Sequence, residues 1–157
     1  MQLPLTGACQ CGNVRYEVRT EPLTVYACHC TECQRQSGSA FSLSMVVPRK
    51  SITIISGKPK EWLRTHESGR IISCIFCGGC GSRLYHNPQA NAAVSIVKCG
   101  TLDGAAQLQP VGHIWTRSAQ KWFAISAESV SYEGQPPEMS RLIAAWKKHR
   151  STISDFN

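Results

Sequence analysis

The sequence predicts a mainly β protein. Short segments in which apolar residues alternate or cluster recur along the chain, turn-forming residues separate them, and only one long segment has helical periodicity. The chain has 157 residues, of which 42% are hydrophobic and 17% are charged. This composition excludes a disordered or collagen-like protein, and the length suits one domain with a buried core.

Eight segments are predicted as β-strands. The clearest is Asn13–Val18, in which apolar and polar residues alternate with the period of two expected for a half-buried strand. The other seven are Leu23–Ala27, Ala40–Val47, Ser51–Ser56, Glu61–His66, Arg70–Phe76, Ala92–Lys98 and Gly112–Thr116. The turns predicted between them are at Pro48, Gly57-Lys58-Pro59, Ser68-Gly69, Asn87-Pro88 and Asp103-Gly104.

Two segments are predicted as helices. Thr31–Ser37 can form one or two turns that end at Gly38. Glu138–Arg150 is the clearest helix, because its apolar residues recur at helical spacing after two prolines. Its basic end complements the dipole of the helix C-terminus and is typical of a solvated helix end, with a nucleic-acid contact as the alternative.

The chain is expected to be one domain over residues 1–137, with a C-terminal helix and frayed tail over residues 138–157 packed on it. Fraying is predicted for residues 151–157. No apolar run approaches the ~18 residues needed to cross a bilayer, and the first seven residues lack the features of a secretory signal. Nine cysteines without an export signal predict a reducing compartment, the cytoplasm. These features leave the oligomeric state open.

The cysteines are grouped by their spacing. The triple C-x-C-x-x-C at Cys28, Cys30 and Cys33 is expected only about 0.03 times by chance in a chain of this composition. A C-x-C pair and a C-x-x-C pair are also present, and each is followed by a glycine. Glycine lets the chain turn sharply behind the sulfurs, so that backbone N–H groups point at the thiolates.

The two pairs together form a four-thiolate set, which is typical of a structural zinc site. Its members are Cys9, Cys11, Cys77 and Cys80. The halves are separated by 65 residues, too many for a local zinc finger, so the site would connect the N-terminus to the middle of the chain. Loss of any one of these cysteines is expected to unfold the domain.

The triple offers three thiolates, and three protein ligands with a free fourth position are typical of a reactive zinc. The alternative is a second structural site, closed by one of four further residues: His29, His86, Cys74 or Cys99. His29 would have to bend back and is expected to point away. Cys74 and Cys99 lie in strand-like segments and are expected to be small buried hydrophobic residues.

Several polar and aromatic residues are weaker candidates. Gln34, Arg35 and Ser37 follow the triple closely enough to meet a ligand at the fourth position, and Arg35 could pair with a carboxylate or lie on the surface. His113 could shuttle a proton or be a satisfied strand histidine. The aromatic residues could wall a pocket or lie in the core: Tyr26, Phe41, Tyr85, Trp115, Trp122 and Phe123.

The formal charge of +7 permits an acidic partner such as nucleic acid but does not identify one. Seven metal-bound thiolates subtract 7 and two Zn²⁺ ions add 4, which leaves about +4. No basic run interleaved with aromatic residues forms a nucleic-acid reader motif. The charge therefore suits small anionic thiols at least as well as nucleic acid.

The sequence resembles the glutathione-dependent formaldehyde-activating enzyme family, also called the centromere protein V/GFA domain family, from about Thr6 to Pro137. The first two blocks that carry the resemblance are GACQCGNVRY from Gly7 to Tyr16 and CHCTECQRQSGSAF from Cys28 to Phe41. The other three are FCGGCGS from Phe76, GTLD from Gly100 and PVGHIW from Pro110. Seven cysteines in order within these blocks make the resemblance specific.

The resemblance implies a β-tent fold of small twisted antiparallel sheets. It implies a structural zinc on Cys9, Cys11, Cys77 and Cys80, and a second, catalytic zinc on Cys28, Cys30 and Cys33. The implied enzyme is a carbon–sulfur lyase that joins glutathione or a similar small thiol to an aldehyde such as formaldehyde, giving S-hydroxymethylglutathione. The alternatives are a non-catalytic zinc-stapled module that binds nucleic acid or protein, and a labile zinc buffer or redox sensor.

Overall fold

The structure is a computed structural model that describes residues 1–66 and 69–154. Its strands are β1 (Leu5–Ala8), β2 (Arg15–Val18), β3 (Thr24–Cys28), β4 (Ser42–Pro48), β5 (Ile52–Ser56), β6 (Lys60–Thr65), β7 (Ile71–Phe76), β8 (Arg83–Pro88), β9 (Val94–Lys98), β10 (Gly112–Ile114) and β11 (Val130–Tyr132). Its α-helices are α1 (Thr31–Ser37) and α2 (Ser140–Ser154). Short 3-10 helices lie at Arg49–Ser51, Cys99–Thr101, Ala105–Gln107 and Thr116–Ser118. The protein is therefore mainly β, as predicted.

The predicted elements occur with small shifts at their ends. All eight predicted strands are present with ends within two residues of the prediction, and α1 occupies the residues predicted. Helix α2 continues to Ser154, so residues 151–154 are helical rather than frayed. Residues 155–157 of the predicted tail, and Ser68 of a predicted turn, lie outside the described residues.

Three strands were not predicted: β1, β8 and β11. The predicted turn at Asn87-Pro88 is wrong, because both residues belong to β8. This strand is antiparallel to β7 on one side and to β9 on the other, and pairing on both sides outweighs its weak intrinsic strand propensity. Pro88 occupies the last position, where a missing N–H interrupts the fewest hydrogen bonds.

Contacts within the chain group it into two compact units. The first unit consists of Met1–Pro22 and Met45–Leu108, and the second consists of Leu23–Ser44 and Gln109–Asn157. Strand β4 begins in the second unit and ends in the first. The first cysteine pair and Cys77-Gly78-Gly79-Cys80 belong to the first unit, whereas the cysteine triple belongs to the second.

The first unit contains two groups of paired strands. One is a three-stranded antiparallel sheet in the order β1-β2-β5, and the other has the order β4-β9-β8-β7-β6. Fully buried side chains fill the core of this unit: Val14, Tyr16, Val18, Met45, Val47, Leu84 and Val97. Strand β1 ends directly before Cys9 and β7 ends directly before Cys77, so the two strand ends present the four cysteines of the first set.

In the second unit β10 pairs in parallel with both β3 and β11, which departs from the purely antiparallel pairing of the other strands with known register. All five residues of β3 are buried, and α2 packs on this strand. The Thr24 hydroxyl donates to the Leu142 carbonyl at 2.9 Å, which satisfies a buried polar group where α2 meets β3. Strand β3 ends at Cys28, directly before α1.

Candidate metal centres

The structure brings the four cysteines of the first set together. Every Sγ atom of Cys9, Cys11, Cys77 and Cys80 lies within 4.8 Å of the others. The Cys9 and Cys11 sulfurs are 3.5 Å apart, and the Cys11 and Cys77 sulfurs are 3.8 Å apart. Zinc–sulfur bonds of about 2.3 Å place tetrahedral sulfurs about 3.8 Å apart, so this donor set fits a zinc ion.

The first cysteine pair lies on a tight turn. The Gly12 N–H donates to the Cys9 carbonyl at 2.9 Å, and Gly12 has φ +74°, a left-handed conformation that glycine adopts without strain. The turn aims the Val14 N–H at the Cys9 sulfur at 3.2 Å. The glycine therefore has the predicted role, since it allows a backbone donor to reach a thiolate.

The second pair repeats this geometry. The Gly81 N–H donates to the Cys77 carbonyl at 2.9 Å, and Gly81 has φ +76°. Ser82 connects the two turns, because its hydroxyl accepts from the Gln10 N–H at 3.0 Å and lies 3.2 Å from the Cys80 sulfur. Each half of the set thus supports the position of the other half.

Hydrogen bonding at this group favours thiolate most strongly at Cys80. The hydroxyl and the backbone of Ser82 lower the pKa of Cys80 to about 5. At Cys11 the Asn13 backbone lowers the pKa, but the neighbouring Cys9 and Cys80 sulfurs raise it, and the pKa is about 11. Four sulfurs this close cannot all ionise without a cation to offset their repulsion, which is a second reason why the set suits a metal ion.

The cysteine triple also converges. The Sγ atoms of Cys28, Cys30 and Cys33 all lie within 4.8 Å of one another, and among the described residues no histidine, aspartate or glutamate completes this group. Cys28 is the last residue of β3, and Cys30 is the N-cap of α1. The Cys30 sulfur accepts from the Cys33 N–H at 3.4 Å, so the first turn of α1 directs a backbone donor at a candidate ligand atom.

Proximity raises the pKa of one member of the triple. The Cys30 and Cys33 sulfurs and burial together hold the pKa of Cys28 far above its ordinary value. A divalent cation would offset this repulsion, and three thiolates leave one tetrahedral position free for a small ligand. The donor set therefore fits a zinc ion with an open position.

His29 lies between two of these cysteines but turns away from them. Its side chain is fully buried, and its Nε2 lies 2.9 Å from His113 Nδ1. The His29 ring also packs against Phe41 and Phe123, each with ring centroids 5.4 Å away. Burial lowers the pKa of His29, and the charge of His113 lowers it further; burial also lowers the pKa of His113. Both rings are therefore neutral at pH 7.

The Gln34 side chain holds the backbone beside the cysteine triple through hydrogen bonds. Its Nε2 donates to the His29 carbonyl at 2.7 Å and to the Ser118 carbonyl at 2.8 Å. Its Oε1 accepts from Gln120 Nε2 at 2.7 Å, so three hydrogen bonds within the protein hold the Gln34 amide. The Ser118 hydroxyl donates to the same His29 carbonyl at 3.0 Å. Ser118 and Gln120 carry no local motif, and sequence reasoning missed both.

Two of the candidates on α1 have other partners. Arg35 is exposed and pairs with Glu32 at 3.0 Å on the same helix, which matches its interpretation as a surface arginine. The Ser37 hydroxyl donates to the Cys33 carbonyl at 2.8 Å and so closes the end of α1. The two remaining cysteines, Cys74 and Cys99, are fully buried, as predicted for small hydrophobic residues.

The aromatic residues predicted to line a pocket or the core lie in different surroundings. Phe41 and Phe123 pack on each other with ring centroids 5.1 Å apart and enclose His29. Tyr85 contacts Tyr16 in the first unit, and Trp122 is 74% exposed. Trp115 has φ +60°, an unusual conformation for a bulky residue, directly before the 3-10 helix that carries Ser118.

Among the described residues, neither α1 nor α2 has the length and apolar character of a membrane-spanning helix.

The chain is similar in sequence to two fungal proteins, each named "Putative glutathione-dependent formaldehyde-activating enzyme". The protein from Sordaria macrospora is 30% identical over 89 residues, which cover 53% of this chain and 37% of the relative. The protein from Penicillium rubens is 32% identical over 79 residues, which cover 49% of this chain and 40% of the relative. The chain thus spans less than half of the length of either relative.

The fold is similar to that of a Rhodobacter sphaeroides protein of known crystal structure, with a TM-score of 0.52 at 18% identity. The alignment covers 82% of this chain and 99% of the other. Residues 4–118 match the sequence profile described as glutathione-dependent formaldehyde-activating enzyme, and this segment contains all seven cysteines of the two groups. The chain therefore belongs to the glutathione-dependent formaldehyde-activating enzyme family.

Proposed function

We propose that this chain is a zinc-dependent carbon–sulfur lyase that catalyses the reversible addition of a small thiol, glutathione or a close analogue, to an aldehyde such as formaldehyde. The observation that carries the proposal is the convergence of the Cys28, Cys30 and Cys33 sulfurs within 4.8 Å. Three thiolate ligands leave a position open, whereas a purely structural zinc has four protein ligands. The family and the names of the two fungal relatives supply the substrate class.

The reaction adds a thiol across a carbonyl group. A carbon–sulfur bond forms between the thiol sulfur and the aldehyde carbon, the carbonyl π bond breaks, and the thiol proton ends on the aldehyde oxygen. No oxidant or reductant is needed. A zinc ion held by the three cysteines would supply thiol binding and Lewis acidity when it is bound.

The chain's own contribution is to hold the three ligands in place. The N-terminus of α1 directs its Cys33 N–H at the Cys30 sulfur, and the Gln34 amide binds the carbonyl between the first two ligands. The neutral His29 and His113 rings fill the space behind the loop with Phe41 and Phe123. This packing excludes water from the side of the loop on which His29 is fully buried.

The four-cysteine group is proposed as the structural zinc site. Its four sulfurs leave no coordination position for a substrate, and its two turns are connected by Ser82. Metal bound there would join the end of β1 to the end of β7 within the first unit.

Exchange spectroscopy by NMR tests the proposed reaction. The zinc-loaded protein is mixed with glutathione and formaldehyde, and the rate of exchange between free thiol and S-hydroxymethyl adduct is compared with the uncatalysed rate. We expect acceleration by the wild type and by Cys99→Ala, which changes a cysteine outside both groups, and none by Cys30→Ser. Exchange at the uncatalysed rate across several thiols and aldehydes would refute the proposal.

A further inference from the structure

One face of the strands β6 to β9 in the first unit concentrates positive charge. The register aligns one row of residues on this face: Trp62, Cys74, His86 and Ile96. Directly opposite residues of antiparallel strands point to the same side, and side chains alternate along a strand. Arg64 and Lys98, which lie two positions from this row on β6 and β9, therefore share its face.

On this face Lys98 is buried, and Arg83 is half-buried and held in position by its neighbours. Lys98 is 7% exposed and His86 is 5% exposed. The Arg83 guanidinium lies 3.4 Å from His86 Nε2 and 5.4 Å from the centre of the Trp62 ring. It also lies 5.8 Å from the centre of the Phe76 ring, so the Trp62 and Phe76 rings orient the planar guanidinium group. The buried Arg83 Nε has no hydrogen-bond partner in the structure.

In the described part of the chain, no carboxylate forms an ion pair with Arg83 or Lys98. Within residues 1–66 and 69–154 the ion pairs given by the structure join Arg15 to Asp103, Arg19 to Glu17 and Arg35 to Glu32. Glu61 lies one position from Trp62 and so points to the opposite face, where its carboxylate accepts from the Ser73 hydroxyl. Positive charge that is largely removed from water and has no counter-charge is costly, and a bound anion would offset that cost.

The Cys74 thiol and the His86 imidazole on this face are not anions. Burial raises the pKa of the Cys74 thiol, and the charges of Arg83, Arg64 and Lys98 only partly oppose that effect. The thiol keeps its proton and donates to the Ile72 carbonyl at 3.7 Å. Burial and the same three cations hold the pKa of His86 well below its ordinary value, so its ring is neutral. Among the described residues, no anion on this face therefore balances the charges of Lys98 and Arg83.

We propose that Lys98 and Arg83 bind a small oxyanion, the carboxylate or phosphate group of a ligand, on this face of the first unit. Arginine binds such groups through two parallel hydrogen bonds, and a lysine beside it adds a point charge. Trp62 is half exposed on β6, the last strand of its group, and this edge is the route of entry. The proposed thiol addition at the cysteine triple assigns no role to these residues, so the two proposals stand separately.

Ligand-dependent thermal unfolding of the zinc-loaded full chain tests this site. The two probes are inorganic phosphate and S-methylglutathione, which presents carboxylates but has no free thiol to bind a metal. We expect at least one probe to raise the unfolding temperature of the wild type in a saturable way, because a ligand that binds the folded state stabilises it. The same probe should change the tryptophan fluorescence of the wild type but not that of a Trp62→Phe variant. The probe that binds identifies the group as phosphate or carboxylate.

Three variants make the test specific. Lys98→Met and Arg83→Gln should each weaken binding of that probe at least tenfold, whereas Arg19→Gln, an exposed arginine of the same unit, removes the same charge and should not change it. Without a probe, Lys98→Met should unfold at the same temperature as the wild type or higher, because a buried unbalanced charge is lost. Failure of both probes to bind the wild type, or equal binding by Lys98→Met, Arg83→Gln and Arg19→Gln, overturns the proposal.

Discussion

His29 and His113 are 84 positions apart in the chain, yet the Nε2 of the first lies 2.9 Å from the Nδ1 of the second. Burial lowers the pKa of both rings, so they share one N–H hydrogen bond between two neutral imidazoles. His113→Ala removes that partner and leaves a polar atom of the fully buried His29 without one. The substitution should lower the free energy of unfolding by about 1–3 kcal/mol, measured by urea denaturation of the zinc-loaded protein.

His113→Asn is the matched control for this contact. Its amide can place a polar atom close to the position of the histidine Nδ1 and should recover part of the lost stability. If His113→Ala and the wild type unfold at the same urea concentration, the contact between the two rings does not contribute to stability.

Both cysteine groups were predictable from the sequence, because a metal site needs several ligands on short, tightly turned segments. The spacing of Cys28, Cys30 and Cys33 keeps three sulfurs within one strand end and one helix turn, so local geometry alone brings them together. The left-handed turns at Gly12 and Gly81 were predictable for the same reason. Helix α1 also depends only on local residues, and its predicted bounds are correct.

The surroundings of the triple were not predictable in this way. The His29–His113 contact and the Gln34–Ser118 hydrogen bond both join positions 84 residues apart, and nothing in the local pattern encodes such a pairing. Strand β8 was missed because its polar residues and terminal Asn87-Pro88 favour a turn locally. Long-range contacts between strands determine the structure at such positions, and the local pattern of a single sequence does not reveal those contacts.

His86 should make stability depend on pH. Burial, followed by the charges of Lys98, Arg83 and Arg64, holds its pKa in the folded state well below the value of about 6.5 in the unfolded state. The unfolded chain therefore takes up a proton first, so this contribution to stability is present above pH 6.5 and is lost as the pH falls. Between pH 7.5 and pH 5.5 the loss should be about 1.4 kcal/mol.

His86→Gln isolates this effect. Zinc loss and the titration of other groups affect the wild type and the variant alike, so the quantity to compare is the drop in unfolding free energy between pH 7.5 and pH 5.5. The wild type should lose about 1.4 kcal/mol more than the variant does. Equal losses would mean that His86 takes up a proton in the folded protein as readily as in the unfolded chain.

Zinc content should separate the two cysteine groups. The wild type should bind two zinc ions per chain, measured by elemental analysis of the purified protein. Cys30→Ser should bind one and keep its circular dichroism spectrum, because the triple is held by α1 and by Gln34 as well as by metal. Cys9→Ser should unfold, because the metal joins two strand ends far apart in sequence.

Treatment of the wild type with a chelator tests which site is labile. A chelator such as EDTA should remove one zinc ion from the wild type quickly and the second only on unfolding, since a three-thiolate site with an open position exchanges its metal more easily than a closed one. Unfolding of Cys30→Ser would instead mean that both groups are structural.

Gly112 should not tolerate a side chain. A Cβ atom at this first position of β10 would lie 2.5 Å from Leu142 Cδ2 and 2.5 Å from the Val130 carbonyl oxygen, and the oxygen belongs to the backbone of β11. The Leu142 methyl can turn away, but the backbone can move only if β10 and β11 separate. Gly112→Ala should therefore lower the free energy of unfolding by about 1–3 kcal/mol.

Gly100→Ala is its control, because a Cβ atom there meets no other atom within 4 Å. The added methyl group restricts the unfolded chain and should leave stability unchanged or raise it by about 0.4–1 kcal/mol. Urea denaturation of both variants measures the difference. A Gly112→Ala protein as stable as Gly100→Ala would mean that β11 and α2 do not pack on β10 as closely as the structure has them, and the parallel pairing of β10 with β11 would then be in question.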